Sequence, residues 1–219
     1  MVAIALTGNI ETKSKTTIAK LQELYPNAKC SLNYSSPLEL LIAVRLSAQC
    51  TDKKVNEITP ELFKRFKSTQ DFANADVSEI EKYIHPCGFF RTKSNDIVGM
   101  CKKIISDFNN KIPENMEDLT SLPGVGRKTA NLVLGILYNK PGIVVDTHFA
   151  RVTERLGFHN ETEPQKIEKT MLKIIPPEIS QKFCHQVVMH GRNVCKAIKP
   201  KCEECSLKKI CQYYKKSCN

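Results

Sequence analysis

Three observations predict an all-α protein. Capping signals recur ahead of runs with helical apolar spacing, glycines follow several of those runs, and one short β-like stretch, "GIVV" at 142–145, has no alternating strand beside it. Ser36 stands as N-cap before "LELLIAVRLS", with Pro37 at the first helical position and Glu39 three residues past the cap. Asp76 with Glu79, and Thr162 with Gln165, repeat the signal before "VSEIEKYI" and "KIEKTMLKII". Gly88 and Gly157 are the expected C-caps. "SNDIVGMCKKIISDF" spaces its apolar residues at three and four, and "EDLTSLPGVGRKTANLVLGILY" reads as a short helix, a tight turn and a longer helix. Residues 1–8 lack periodicity and are expected as a loose tail. "YNKPGIVVD", with Pro141 and Gly142, is the expected crossing between two halves.

The charge balance narrows the partner. Among 219 residues, 33 Lys and Arg face 23 Asp and Glu, a net charge of +10. That surplus attracts polyanions, nucleic acid before acidic membrane. No run approaches the roughly 18 consecutive apolar residues of a membrane span, and "MVAIAL" lacks the basic start of a signal peptide. An intracellular setting, with the chromosome and in reducing conditions, is the expectation. No heptad or symmetric apolar stripe stands out, so a monomer is expected. Clustered cysteines in such a setting bind metal or do chemistry.

Four of the ten cysteines are clustered. Cys195, Cys202, Cys205 and Cys211 follow C-x6-C-x2-C-x5-C. Four thiolates this close can surround one metal centre, and two centres stay open. Structural zinc prefers two C-x2-C pairs, of which only one is present; the longer, unequal loops favour a 4Fe–4S cluster. Between the first two ligands runs "KAIKPK", whose Lys199 and Lys201, with Lys196, are placed to meet phosphates. From Arg192 to Asn219 eight basic residues face two acidic ones.

The turn "LPGVGRKTAN" carries the second signal. Gly124 and Gly126 are expected to allow positive φ and a close backbone approach to a partner. They lead into a helix N-terminus, whose unpaired amides and positive dipole end seat a phosphate. This is the helix–hairpin–helix pattern, which binds DNA backbone without reading sequence; it makes Leu122, Gly124, Val125, Gly126 and Arg127 the expected contacts to double-stranded DNA, with a plain helix connector as the alternative. Lys128 follows within the first turn, where the dipole disfavours a cation. An amine that can be neutral is a nucleophile able to form a Schiff base. Eighteen residues on, Asp146 in "VVDTHFARV" occupies an N-cap position; a capping carboxylate beside a nucleophilic lysine can also take its proton or steady a sugar cation.

Together, "SSPLELLIAVRLSAQCTD", "LPGVGRKTAN", "VDTHFARV", "HGRNVC" and the cysteine run resemble the endonuclease III family of bifunctional DNA glycosylases, from about Tyr25 to Tyr213. The resemblance implies a six-helix barrel at 30–140. It also implies a discontinuous domain of 1–29 and 141–219 holding a 4Fe–4S cluster, with the active-site cleft between the two. It implies that Lys128 is the nucleophile, Asp146 its catalytic partner, and the four cysteines the cluster ligands. Gln49, in "LSAQ", and Phe89, in "CGFF", align with the family's intercalating residues. Phe89 departs from the aliphatic side chain common there. The activity implied is removal of oxidised pyrimidines from duplex DNA and strand cleavage at the abasic site. His148, His190 and Arg192 receive no catalytic role, because packing and hydrogen bonding account for them.

Overall fold

The computed structural model describes residues 8–217, so the expected tail lies outside the described residues except at Gly8, where the first helix opens. Twelve α-helices follow one another: α1 Gly8–Leu24, α2 Pro37–Ser47, α3 Asp52–Arg65, α4 Thr69–Asn74, α5 Val77–Ile84, α6 Phe90–Phe108, α7 Met116–Thr120, α8 Arg127–Tyr138, α9 Thr147–Leu156, α10 Pro164–Ile174, α11 Ser180–Asn193 and α12 Gln212–Ser217. No strand occurs among the described residues. The "GIVV" stretch is extended but pairs with a helix: Gly142 N donates to Ser180 Oγ at 3.1 Å and Val144 N to Cys184 Sγ at 3.3 Å, both acceptors on α11.

Six of the twelve helix starts carry a side-chain N-cap. Ser36 Oγ accepts from Glu39 N at 3.2 Å, while the Glu39 carboxylate accepts from Ser35 N at 2.6 Å. The reciprocal half of that box therefore lands one residue early. Ser68 and Asp71 close a complete capping box before α4, and Asp76 accepts from Ser78 N before α5. The Thr162 cap is not found. Helix α10 starts at Pro164 with Glu163 as an N-cap that makes no side-chain bond. A proline at the first position already has helical φ and lacks one orphan N–H, which lessens the need for a cap. Gly157 ends α9 at φ 81, and Gly88 ends the 3-10 turn His85–Cys87 at φ 64.

The chain divides into two compact units: residues Ser31–Asn139, and the stretch from Lys140 onward together with the N-terminal residues up to Cys30. In the first unit α6 packs on α2, α4 and α5, and fully buries Ile97, Met100, Cys101 and Ile104. Helix α2 hides Leu40, Leu41, Ile42, Ala43 and Leu46 completely, which explains why its sequence is apolar on every face. Helices α7 and α8 form the hairpin, and α8 rests on α2. In the second unit α11 packs against α9 and α1. There Phe149 meets Phe183 edge to face, with ring centroids 6.2 Å apart.

Candidate active site and metal centre

The hairpin turn is built from the inside out. Leu122 and Val125 are buried and anchor the turn, with Val125 N donating to Leu122 O at 3.1 Å. Whatever these two residues offer a phosphate must come from the main chain. Gly124 has φ +73, and a Cβ there would lie 2.7 Å from Asp96 Oδ2 and against the Arg45 side chain. Those two residues form a half-buried ion pair under the turn, with Arg45 Nε donating to Asp96 Oδ2 at 2.8 Å. The positive φ expected at both glycines occurs at Gly124 alone. Gly126 is extended (φ −93, ψ 174), serves as N-cap of α8 and supplies no side-chain cap. Arg127 and Lys128 are exposed at the first two positions of α8.

Asp146 is the N-cap of α9; its Oδ1 accepts from Phe149 N at 2.7 Å, and the residue is half-buried. The two bonds from Gly142 and Val144 onto α11 fix the extended segment leading to it. Burial pushes the Cys184 thiol up to about 12, which keeps it a neutral acceptor for Val144. His148 lies within hydrogen-bond distance of Arg151, and His190 of Tyr25 Oη and Cys205 Sγ. Lys128 belongs to the Ser31–Asn139 unit and Asp146 to the other.

Backbone geometry singles out three further residues. Among the described residues six that are not glycine adopt positive φ: Gln49 (53), Phe89 (47), Asn109 (49), Asn110 (60), Asn139 (50) and Lys199 (50). Asparagine tolerates the left-handed region, and Asn109 and Asn139 end helices in the usual way. Glutamine, phenylalanine and lysine pay for it in steric strain. All three are exposed, Phe89 by 64%. These are three of the side chains that sequence placed at DNA. Composition gave no hint of their backbone geometry.

The four cysteines line one hollow with Arg155, Pro200 and Tyr213. Burial and the neighbouring thiols push Cys205 and Cys211 up, so a cationic core is needed to hold the set as thiolates. Four thiols lining one hollow are the donor set that a 4Fe–4S cluster takes. Sequence reasoning missed two arginines that shape this loop. Arg155 donates to Lys196 O at 2.7 Å and Ala197 O at 3.1 Å, and Arg151 donates to Cys195 O at 3.0 Å. They stand one helical turn apart on α9, a spacing visible in "RVTER" but shared with any solvated face. The loop they hold ends at the exposed Lys199 and Lys201.

The HhH-GPD superfamily base excision DNA repair protein family matches residues 42–177, and the iron-sulfur binding domain of endonuclease III matches 195–211. Endonuclease III of Synechocystis sp. is 48% identical over 195 residues, covering 87% of this chain and 88% of that protein. The chain belongs to the endonuclease III family. It is a DNA glycosylase and AP lyase of base excision repair that carries a 4Fe–4S domain. The fold agrees. A solved non-covalent endonuclease III–DNA complex superposes with a TM-score of 0.90 at 39% identity, over 96% of this chain and 98% of the other. A trapped endonuclease III–DNA covalent intermediate gives 0.91 at 38%, over 98% and 100%.

Proposed function

We propose that this enzyme removes oxidised pyrimidines from duplex DNA and breaks the strand 3′ to the abasic site. In this reading the exposed Lys128 amine attacks the sugar C1′ as the base leaves, and Asp146 assists by taking a proton or steadying charge on the sugar. The resulting Schiff base acidifies the C2′ protons, and β-elimination follows. An abasic site enters at the Schiff-base step. Gln49 and Phe89 enter the duplex as the damaged nucleotide is flipped out, Gln49 filling the gap and Phe89 wedging the opposite strand. The hairpin main chain from Leu122 to Arg127 and the loop lysines Lys199 and Lys201 hold phosphates. Bound to Cys195, Cys202, Cys205 and Cys211, the cluster supplies the staple that gives the basic loop its shape. No described helix is long and apolar enough to cross a membrane, and the substrate places the enzyme inside the cell with the chromosome.

The observation carrying this reading is a lysine, uncovered in the first turn of α8, directly after a positive-φ turn, in an endonuclease III chain. Single-turnover cleavage of a duplex with one thymine glycol tests it. Lys128→Gln and Asp146→Asn should each lower the rate by two orders of magnitude or more, about 2.7 kcal/mol at least. Full activity in Lys128→Gln would move the nucleophile elsewhere.

A further inference from the structure

Lys93 is an anomaly within α6. It is 1% exposed, in a helix whose other lysines, Lys102 and Lys103, lie at or near the surface. Its Nζ donates to Leu46 O at 2.8 Å and to Cys87 O at 2.9 Å. Both acceptors are main-chain carbonyls at the ends of helical turns, where no intrahelical N–H remains for them. A buried cation is costly, and a methionine would fill similar space without that cost. The position therefore uses the ammonium for its donors.

The two carbonyls are not arbitrary. Leu46 lies three residues before Gln49, and Cys87 two residues before Phe89. Both target residues sit at positive φ, and both are exposed. Strained backbone of this kind persists only where its surroundings over-determine it. One buried ammonium fastens the approach to both loops at a single point. The thiols of Cys50 and Cys87 stand beside each other in the same corner, with Lys54 and Arg45 as the further charged neighbours.

We propose that Lys93 is a positioning residue that holds the Gln49 and Phe89 loops in register, so that both side chains enter the duplex as one preformed wedge. The inference rests on the reading in which Gln49 and Phe89 enter DNA. Preorganisation is its physical content: with the loops fixed beforehand, the ordering cost is not met during base flipping.

The test uses the full, cluster-loaded enzyme and a duplex with thymine glycol opposite 2-aminopurine, whose fluorescence rises when it is unstacked. Gln49→Ala and Phe89→Ala should each reduce the rise. Lys93→Met should reduce it as much as the two together and slow duplex excision by on the order of a hundredfold, while cleavage of an abasic site in single-stranded DNA stays within about twofold. A merely structural role would lower both reactions alike and overturn the proposal. So would an unchanged fluorescence rise in Lys93→Met while the loop variants lose theirs. If Gln49→Ala and Phe89→Ala leave the signal intact, the wedge reading fails and takes this inference with it. Should Lys93→Met lose its cluster absorbance, Lys93→Gln carries the comparison. It keeps part of the donor capacity, and it should fall between wild type and the double loop variant in fluorescence alone.

Discussion

Gly124 does two things that no other residue type can do at once. Its φ of +73 lies where a Cβ is strained, and the Cβ would also overlap the Arg45–Asp96 pair beneath the turn. Gly124→Ala should therefore cost more than the roughly 1 kcal/mol of left-handed strain alone. Thermal unfolding should show a lower Tm, and fluorescence anisotropy weaker binding to undamaged duplex. Gly126→Ala should change far less, because open space surrounds its Cβ position and its φ is ordinary. His159 offers a separate test at this scale. It is buried, its Nδ1 accepts from Glu161 N at 3.2 Å, and its Nε2 lies 2.8 Å from the Thr153 hydroxyl. Burial pulls its pKa below 6.5, against a smaller opposing pull from Glu154 and Glu161. The folded protein thus resists a proton that the unfolded chain accepts. Its contribution to stability is complete above pH 6.5 and is lost as the pH falls from 6.5 through the lower folded-state value. Tm measured down that range should decline less steeply in His159→Asn than in wild type.

At the scale of elements, the proposed role of the loop from Cys195 to Cys202 is to present charge to DNA. Arg151 and Arg155 grip its carbonyls and Lys199 sits at φ 50; a cluster bound to Cys195 and Cys202 would tie its ends. Replacing Lys199 or Lys201 with alanine should each reduce the slope of log K against log salt by about 1, without changing preference among sequences. Arg155→Ala should weaken binding further than loss of one phosphate contact explains, because it frees the whole loop. A slope unchanged in all three variants would remove the loop from the DNA interface. This level also marks what sequence conveys. The C-x6-C-x2-C-x5-C run and the "LPGVGRK" turn are legible because metal ligation and a glycine-built turn constrain residue type at fixed spacing. Helix α10 shows a cap pattern misleading by one residue, since Pro164 at the first position competes with a threonine cap. The left-handed backbone of Gln49 and Phe89 is invisible because neither residue type advertises it. Lys93 is hidden for the same reason: a lysine at helical spacing reads as solvated, and only tertiary packing places it 1% exposed between two loops.

For the molecule as a whole, a net charge of +10 and the basic segment after Arg192 make association with duplex DNA steeply salt-dependent. Stripping the iron should bleach the broad absorbance near ~400 nm, lower Tm and flatten the salt slope, because the staple of the basic loop is gone. Iron-free protein with native Tm and unchanged slope would refute that coupling. In the proposed mechanism the nucleophile is one atom, the Lys128 Nζ, and borohydride trapping on a thymine glycol duplex tests it directly. A covalent protein–DNA adduct should form in wild type, map to the peptide containing Lys128 and vanish in Lys128→Gln. An adduct that persists in the variant, or none in wild type while duplex remains bound and the base is released, would contradict the account.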